Sequence, residues 1–246
     1  MSQLDLAIAA EVSTRHLSFL ENGRSTPGAA MVMRLAAALD IPLRNVNSLL
    51  EAAGHPPAYP EPEGQRLPEE ITAVLKLMKE QQEPYPLVAI NRLYDVVDIN
   101  MGAALLFASL LPKLPLAGGF NIARVTFDPV GGQSILANFD ELGRELLWRV
   151  QREVLANPND GELRDLLEEL LAQPTVTEDW RKADLTLSTP PVMFVRFRAG
   201  EEELKFVTAV TSFQSPHAIV LDELRIQTFF PANSQTAEHC QRLRAG

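Results

Sequence analysis

The 246-residue chain contains a single cysteine, Cys240, and only four histidines. One thiol cannot form an internal disulfide, and without Cys or His partners at ligand spacing it excludes a structural zinc cage. This cysteine usage fits a reducing compartment, and a cytoplasmic protein is expected. The opening MSQLDLA lacks the basic segment and the apolar run of a secretory signal. The longest apolar stretch, Met101 to Leu116, is too short for a bilayer-spanning helix and is broken by Pro112 and Pro115, so no membrane partner is expected. A Gly-rich phosphate loop, an HExxH pair and a GxSxG elbow are also missing. Glu168-Glu169 and Glu201-Glu202-Glu203 read as solvated faces and not as acid/base pairs. His239-Cys240 lies near the C-terminus with no third partner. No catalytic residue, metal ligand or cofactor is therefore assigned, and an enzyme is not expected.

The charge balance, 22 basic against 32 acidic residues, gives −10 and at first argues against a polyanionic partner. The excess is not evenly spread. Residues 1–53 hold Arg15, Arg24, Arg34 and Arg44 against Asp5, Glu11, Glu21, Asp40 and Glu51, which is close to neutral. A small module of this kind binds DNA if its few cations share one face.

Residues 55–66, HPPAYPEPEGQR, are proline-rich and poor in aliphatics, which predicts a semi-rigid linker. The expected organisation is a head over residues 1–54, this linker, and a larger domain over residues 67–246. In the head, Ser2 or Met1 precedes a helix through Ala10, Ser13 caps a second helix that Gly23 ends, and two more helices follow, over Gly28 to Leu39 and from Pro42 to Gly54. The larger domain begins with a helix after Leu67-Pro68. PYPLVAINRLYDVVDIN then predicts two strands about a turn at Asn91-Arg92, followed by a helical run to about Leu111. Phe139, Leu142, Leu146, Val150 and Val154 form one amphipathic stripe, and Leu163, Leu166, Leu167, Leu170 and Leu171 form another. From Leu185 the texture becomes β, with a turn at Ala199-Gly200-Glu201 and a last strand from Leu224 to Phe230. The larger domain is therefore α+β, with helices on an antiparallel sheet.

The segment SQLDLAIAAEVSTRHLSFLENGRSTPGAAMVMRLAAALDIPL resembles the helix-turn-helix of the Cro/C1 repressor type, the XRE family. The resemblance rests on Gln3, Leu6-Ala7, the turn at Glu11-Val12-Ser13, Leu17, Leu20, Glu21, Asn22-Gly23-Arg24, Pro27 and the LAAALDIPL stretch. The family's first helix normally precedes Ser2-Gln3 and is absent here, so the all-α head is expected to lack it. Such a motif projects its second helix into the major groove. The exposed face is then Thr14, Arg15, His16, Ser18 and Phe19, with Ser13 at the helix start. Arg15 suits a guanine edge, His16 and Thr14 bases or phosphates, Gln3 a phosphate or an adenine, and Arg24 a phosphate. One short recognition helix spans too few base pairs for specificity, so a homodimer on double-stranded DNA is expected.

VSTRHLSFLENGRS and LEAAGHPPAY, together with PYPLVAINRLYDVVDIN, NFDELGRELLWRVQREV, ELRDLLEELL and Asp179-Trp180, are similar to one subgroup, the MmyB-like regulators. The resemblance implies a PAS-like C-terminal domain that binds a small molecule of the fatty-acid class. Phe107, Phe127, Phe139, Leu142, Leu146, Phe194 and Phe206 are then candidates for an apolar pocket, and Arg196, Arg124 and His217 are equal candidates for the polar anchor of a carboxylate. Read from residues alone, the aromatic set is ordinary core. Two functions follow: a ligand-responsive DNA-binding regulator, or a lipid-binding protein whose shortened head no longer binds DNA.

Overall fold

A computed structural model describes residues 1–59, 67–116, 119–181, 194–213 and 219–246. The chain forms two compact units, one of residues 1–66 with 213–222, the other of residues 67–212 with 223–246.

The first unit holds α1 (Gln3–Ala9), α2 (Thr14–Glu21), α3 (Ala29–Ala38), α4 (Leu43–Ala52) and the short α11 (Ile219–Asp222). Ser2 and Asp5 make a reciprocal capping box at the start of α1, and Ser13 Oγ accepts from His16 N at the start of α2. Gly23 ends α2 at φ +65°, a conformation that costs glycine nothing. Val32 and Ala36 of α3 pack against Val46 and Leu50 of α4. On α1 the inner face is Ala7, while Leu4 and Ile8, one turn apart, remain 59% and 69% exposed.

The expected division of the chain is corrected in two places. Residues 55–59 are not linker: the buried Asn47 accepts from the backbone N–H of Ala58 and Tyr59 and donates to the Tyr59 carbonyl, and His55 Nε2 lies 2.9 Å from the Pro27 carbonyl. α11 (Ile219–Asp222), which falls inside the range expected for the larger domain, belongs instead to the first unit, where it lies against α4.

The second unit is built on a five-stranded antiparallel sheet of β1 (Leu87–Ile90), β2 (Val96–Ile99), β3 (Phe194–Ala199), β4 (Glu202–Ser212) and β5 (Arg225–Pro231), in the order β2-β1-β5-β4-β3. The α+β, PAS-like layout is borne out. The β1–β2 hairpin turns at Asn91, whose side chain accepts from Leu93 N and Asp95 N. The β3–β4 hairpin turns at Gly200, φ +63°. The β texture expected between Leu185 and residue 193 lies outside the described residues.

Around the sheet lie α5 (Glu69–Gln82), α6 (Met101–Leu110), α7 (Ile122–Phe127), α8 (Gly132–Ile135), α9 (Phe139–Ala156), α10 (Gly161–Leu171) and α12 (Ser234–Ala245). α9 and α10 carry the two predicted leucine-rich stripes, and their Leu147, Val150, Leu163, Leu166 and Leu170 are buried together. α12 was not predicted. Its sequence, SQTAEHCQRLRA, buries only Thr236 and Cys240 and so lacks a strong apolar stripe, although Asn233 caps it in the ordinary way.

Asn100 joins sheet to helix. Its Oδ1 accepts from Leu87 N and Ala103 N, and its Nδ2 donates to the Tyr85 carbonyl, all within a buried site. Asn100→Ala removes a helix cap and leaves buried backbone groups unsatisfied, and is expected to cost at least about 2 kcal/mol. Urea unfolding measures it; a loss below about 0.5 kcal/mol would show that water replaces the amide.

Candidate functional site

A cavity of about 150 Å³ lies in the second unit between the sheet and the helices on one of its faces. Its sheet wall is Ile90, Val195, Phe197, Thr208, Gln227 and Phe229. These are residues of one pleat face, because Thr208 pairs with Phe229 and Val210 with Gln227. The opposite wall comes from α6 through Phe107, from α7 through Ile122 and Val125, and from α9 through Leu142 and Leu146. Phe107 meets Phe120 edge-on at 5.8 Å.

α9 is fixed to the sheet at both ends. At its start Asn138 Nδ2 donates to the Phe194 carbonyl, and Asn138 Oδ1 accepts from Arg196 N. At its end Glu153 bridges Arg225 Nη1, 2.8 Å away, and the Tyr94 hydroxyl, which donates over 3.1 Å. Tyr94 is buried at φ +65°, and burial with the nearby Glu153 charge pushes its phenol well above the ordinary range. It contributes a wall of the cavity as a neutral group.

The lining also includes Glu145 and Arg149, one turn apart on α9, with Arg149 Nη2 donating to Glu145 Oε1 over 2.8 Å. Glu145 Oε2 is buried and accepts no hydrogen bond. Arg149, 42% exposed, and Val210, 54% exposed, mark the mouth.

The eight residues nominated from the sequence do not all meet. Phe107, Leu142 and Leu146 line the cavity. Phe127 instead meets Phe139 edge-on in the core, Phe139 packs on Trp180, and Phe206 lies between Phe197 and Phe229. Phe194 points to the other pleat face, under the Lys205 ammonium at 4.0 Å. Arg196, on that same face, pairs with Glu203 and is not an anchor in this cavity. Arg124 is spent on Glu169, and His217 lies outside the described residues.

In the first unit Thr14 and Arg15 are exposed at the start of α2, with His16 and Ser18 half-buried beside them. The Arg15 guanidinium rests 5.4 Å from the Phe19 ring centroid. Two of the nominated residues have local partners: Ser13 caps α2, and the Gln3 amide donates to Glu21 Oε2. Arg24 is exposed just past Gly23.

Residues 71–243 match the family described as MmyB-like transcription regulator ligand binding domain, and residues 1–45 match a helix-turn-helix family. The chain belongs to the MmyB-like transcription regulators. It is also similar to an uncharacterized HTH-type transcriptional regulator, RghRB, of Bacillus subtilis (strain 168), 44% identical over 57 residues. That match covers 23% of this chain and 39% of the relative, so this chain spans well under half of that protein's length. Together the two family matches place a helix-turn-helix ahead of an MmyB-like ligand-binding domain.

Glu145 and Arg149 escaped the sequence reading although a signal was present. They fall three and seven residues after Leu142, inside the apolar stripe of α9, where a charged pair is out of place unless it faces a cavity. Thr208 and Gln227 interrupt inward pleat faces in the same way.

Elsewhere, His239 Nδ1 sits 2.7 Å from Glu202 Oε2, and Arg242 Nη2 also reaches Glu202. These partners hold the Glu202 carboxyl below its usual range, the His239 hydrogen bond foremost. Among the described residues no group of His, Cys, Asp or Glu is arranged to hold a metal ion, and no helix is long and apolar enough to cross a membrane. Cys240 is buried, and burial pushes its thiol up to about 11. Alkylation of Cys240 by iodoacetamide at mildly alkaline pH is therefore expected to be at least about tenfold slower in the native protein than in urea. Equal rates would show α12 to open freely.

Proposed function

We propose that the chain is a ligand-responsive regulator: an apolar molecule enters the cavity of the second unit, and its presence changes how the helix-turn-helix binds DNA. The observation that carries this reading is the cavity itself, walled by aliphatic and aromatic side chains and open beside Val210. A void of 150 Å³ is the size of an engineered one that accepts benzene, so it encloses a ring or about six carbons. That is shorter than the dozen-carbon chain a fatty-acid ligand suggests. The ligand is thus a compact member of the fatty-acid-like class or a longer chain with only one end enclosed. At roughly 0.8 kcal/mol per methylene, six buried carbons contribute about 5 kcal/mol. That corresponds to sub-millimolar affinity, so a polar group at the mouth has a measurable share to add.

On the DNA side, Arg15 is the strongest base-reading candidate, being exposed at the start of α2. Gln3 and Ser13 are better regarded as positioning residues, since Glu21 and the His16 amide already engage them. A homodimer on a two-fold site in the cytoplasm completes the proposal.

Native mass spectrometry of the full chain, followed by lipid extraction, tests the ligand half. A bound alkyl or acyl compound that is lost in Leu146→Trp is the expected result. A protein that is empty and takes up no fatty acid of any chain length in calorimetry would overturn it. For the DNA half, Arg15→Ala is expected to weaken specific binding by about 1–3 kcal/mol at fixed salt, and an unchanged gel shift would remove Arg15 from the reading face.

A further inference from the structure

Six side chains with polar groups share the lining of the cavity. The Thr126 hydroxyl donates to the Ile122 carbonyl and the Tyr94 hydroxyl to Glu153, which leaves four to consider: Glu145 and Arg149 from α9, Thr208 from β4 and Gln227 from β5. Thr208 and Gln227 are diagonal neighbours on one pleat face, since Thr208 stands opposite Phe229 and Gln227 opposite Val210. α9 is tied to β3 at Asn138 and to β5 at Glu153, and β4 lies between those strands. The turn from Glu145 to Arg149 is therefore the part of α9 that crosses near this pair.

A count of hydrogen bonds shows what the four leave open. Glu145 Oε1 is occupied by Arg149, whereas Glu145 Oε2 is buried with no donor. Neither the Thr208 hydroxyl nor the Gln227 amide has a hydrogen-bond partner among the described residues. The unspent capacity comprises a carboxylate acceptor, an amide that donates and accepts, a hydroxyl that does both, and the Arg149 N–H groups not given to Glu145, which belong to the half-exposed side chain at the mouth. The ion pair is neutral as a unit. A ligand carboxylate drawn to Arg149 would bring a second anion against the Glu145 oxygen that already lacks a donor. An ammonium would place a second cation beside Arg149. A neutral group that donates and accepts meets neither cost.

We propose that the cavity selects a molecule whose apolar body ends in a hydroxyl or an amide, held at the mouth by Glu145, Thr208 and Gln227. This rests on the cavity being the ligand site, and it narrows the fatty-acid-like class to its uncharged derivatives. The head group donates toward Glu145 and accepts from the Gln227 amide, while the apolar body runs inward toward Phe107.

The test is calorimetry on the full chain at neutral pH with five probes of equal length: octan-1-ol, octanamide, octanoate, octylammonium and octane. Octan-1-ol and octanamide are expected to bind about tenfold tighter than the two ions. Glu145→Gln is expected to improve octanoate by about tenfold while leaving octane unchanged, and the pair Thr208→Val with Gln227→Leu to bring octan-1-ol down to the level of octane. Octanoate binding as tightly as octan-1-ol to the unmodified protein would overturn the head-group assignment while leaving the cavity as the ligand site. If none of the five binds, the cavity fails as a ligand site and the assignment falls with it. The ranking on the unmodified chain decides the matter even if a variant fails to fold.

Discussion

The cavity depends on the way α9 is fastened. One amide, Asn138, fixes the start of the helix to β3, and one carboxylate, Glu153, fixes its end to Arg225 and Tyr94. A helix pinned at two points over a twisted sheet cannot follow its curvature throughout, and the gap opens in the middle, at Leu142 to Arg149. Gly143 shows how tightly the other side of this stretch is packed: a Cβ there would lie 2.8 Å from the Trp180 ring. The same helix is thus closely packed toward Trp180 and open toward the sheet. Directional bonds suit the fastening, neutral at Asn138 and charge-assisted at Glu153, because they hold a set geometry without filling the space between.

Much of the architecture was legible because it rests on local patterns of apolar residues and turns. Two short apolar runs about a turn marked β1 and β2, the Ala199-Gly200-Glu201 turn marked the β3–β4 hairpin, and amphipathic stripes marked α9 and α10. What escaped has physical reasons. α12 buries too few apolar residues to display a stripe. The end of the head was placed too early because the prolines of residues 55–59 read as linker, while the buried Asn47 that gathers them looked like any other polar residue on a helix. The cavity was the least legible feature. Phe127, Phe139 and Phe206 are as aromatic as Phe107, and composition does not tell a side chain that fills space from one that borders it.

The polar members of the lining carry more information than the apolar ones. Aliphatic walls accept any apolar body of suitable size, whereas an unsatisfied carboxylate oxygen and two unpaired neutral groups discriminate by the hydrogen bonds each ligand leaves unmade. Residues such as Glu145 and Arg149 inside a core stripe are therefore where relatives with different ligands would be expected to differ. The proposed DNA-reading surface presents a comparable contrast: Gln3 on α1 and Ser13 at the cap of α2 are held by local bonds, whereas Thr14 and Arg15 on α2 are exposed.

The central claim is that occupying the cavity and binding DNA are thermodynamically linked, and linkage requires each to alter the other by the same factor. The direct measurement is fluorescence anisotropy of the full chain on a duplex it has selected from a random pool, at fixed salt, with the cavity empty and then saturated with octan-1-ol. A change in DNA affinity of at least about fivefold, matched by the same factor in octan-1-ol affinity when DNA is bound, is the predicted result. Identical DNA affinity with a demonstrably filled cavity would contradict it.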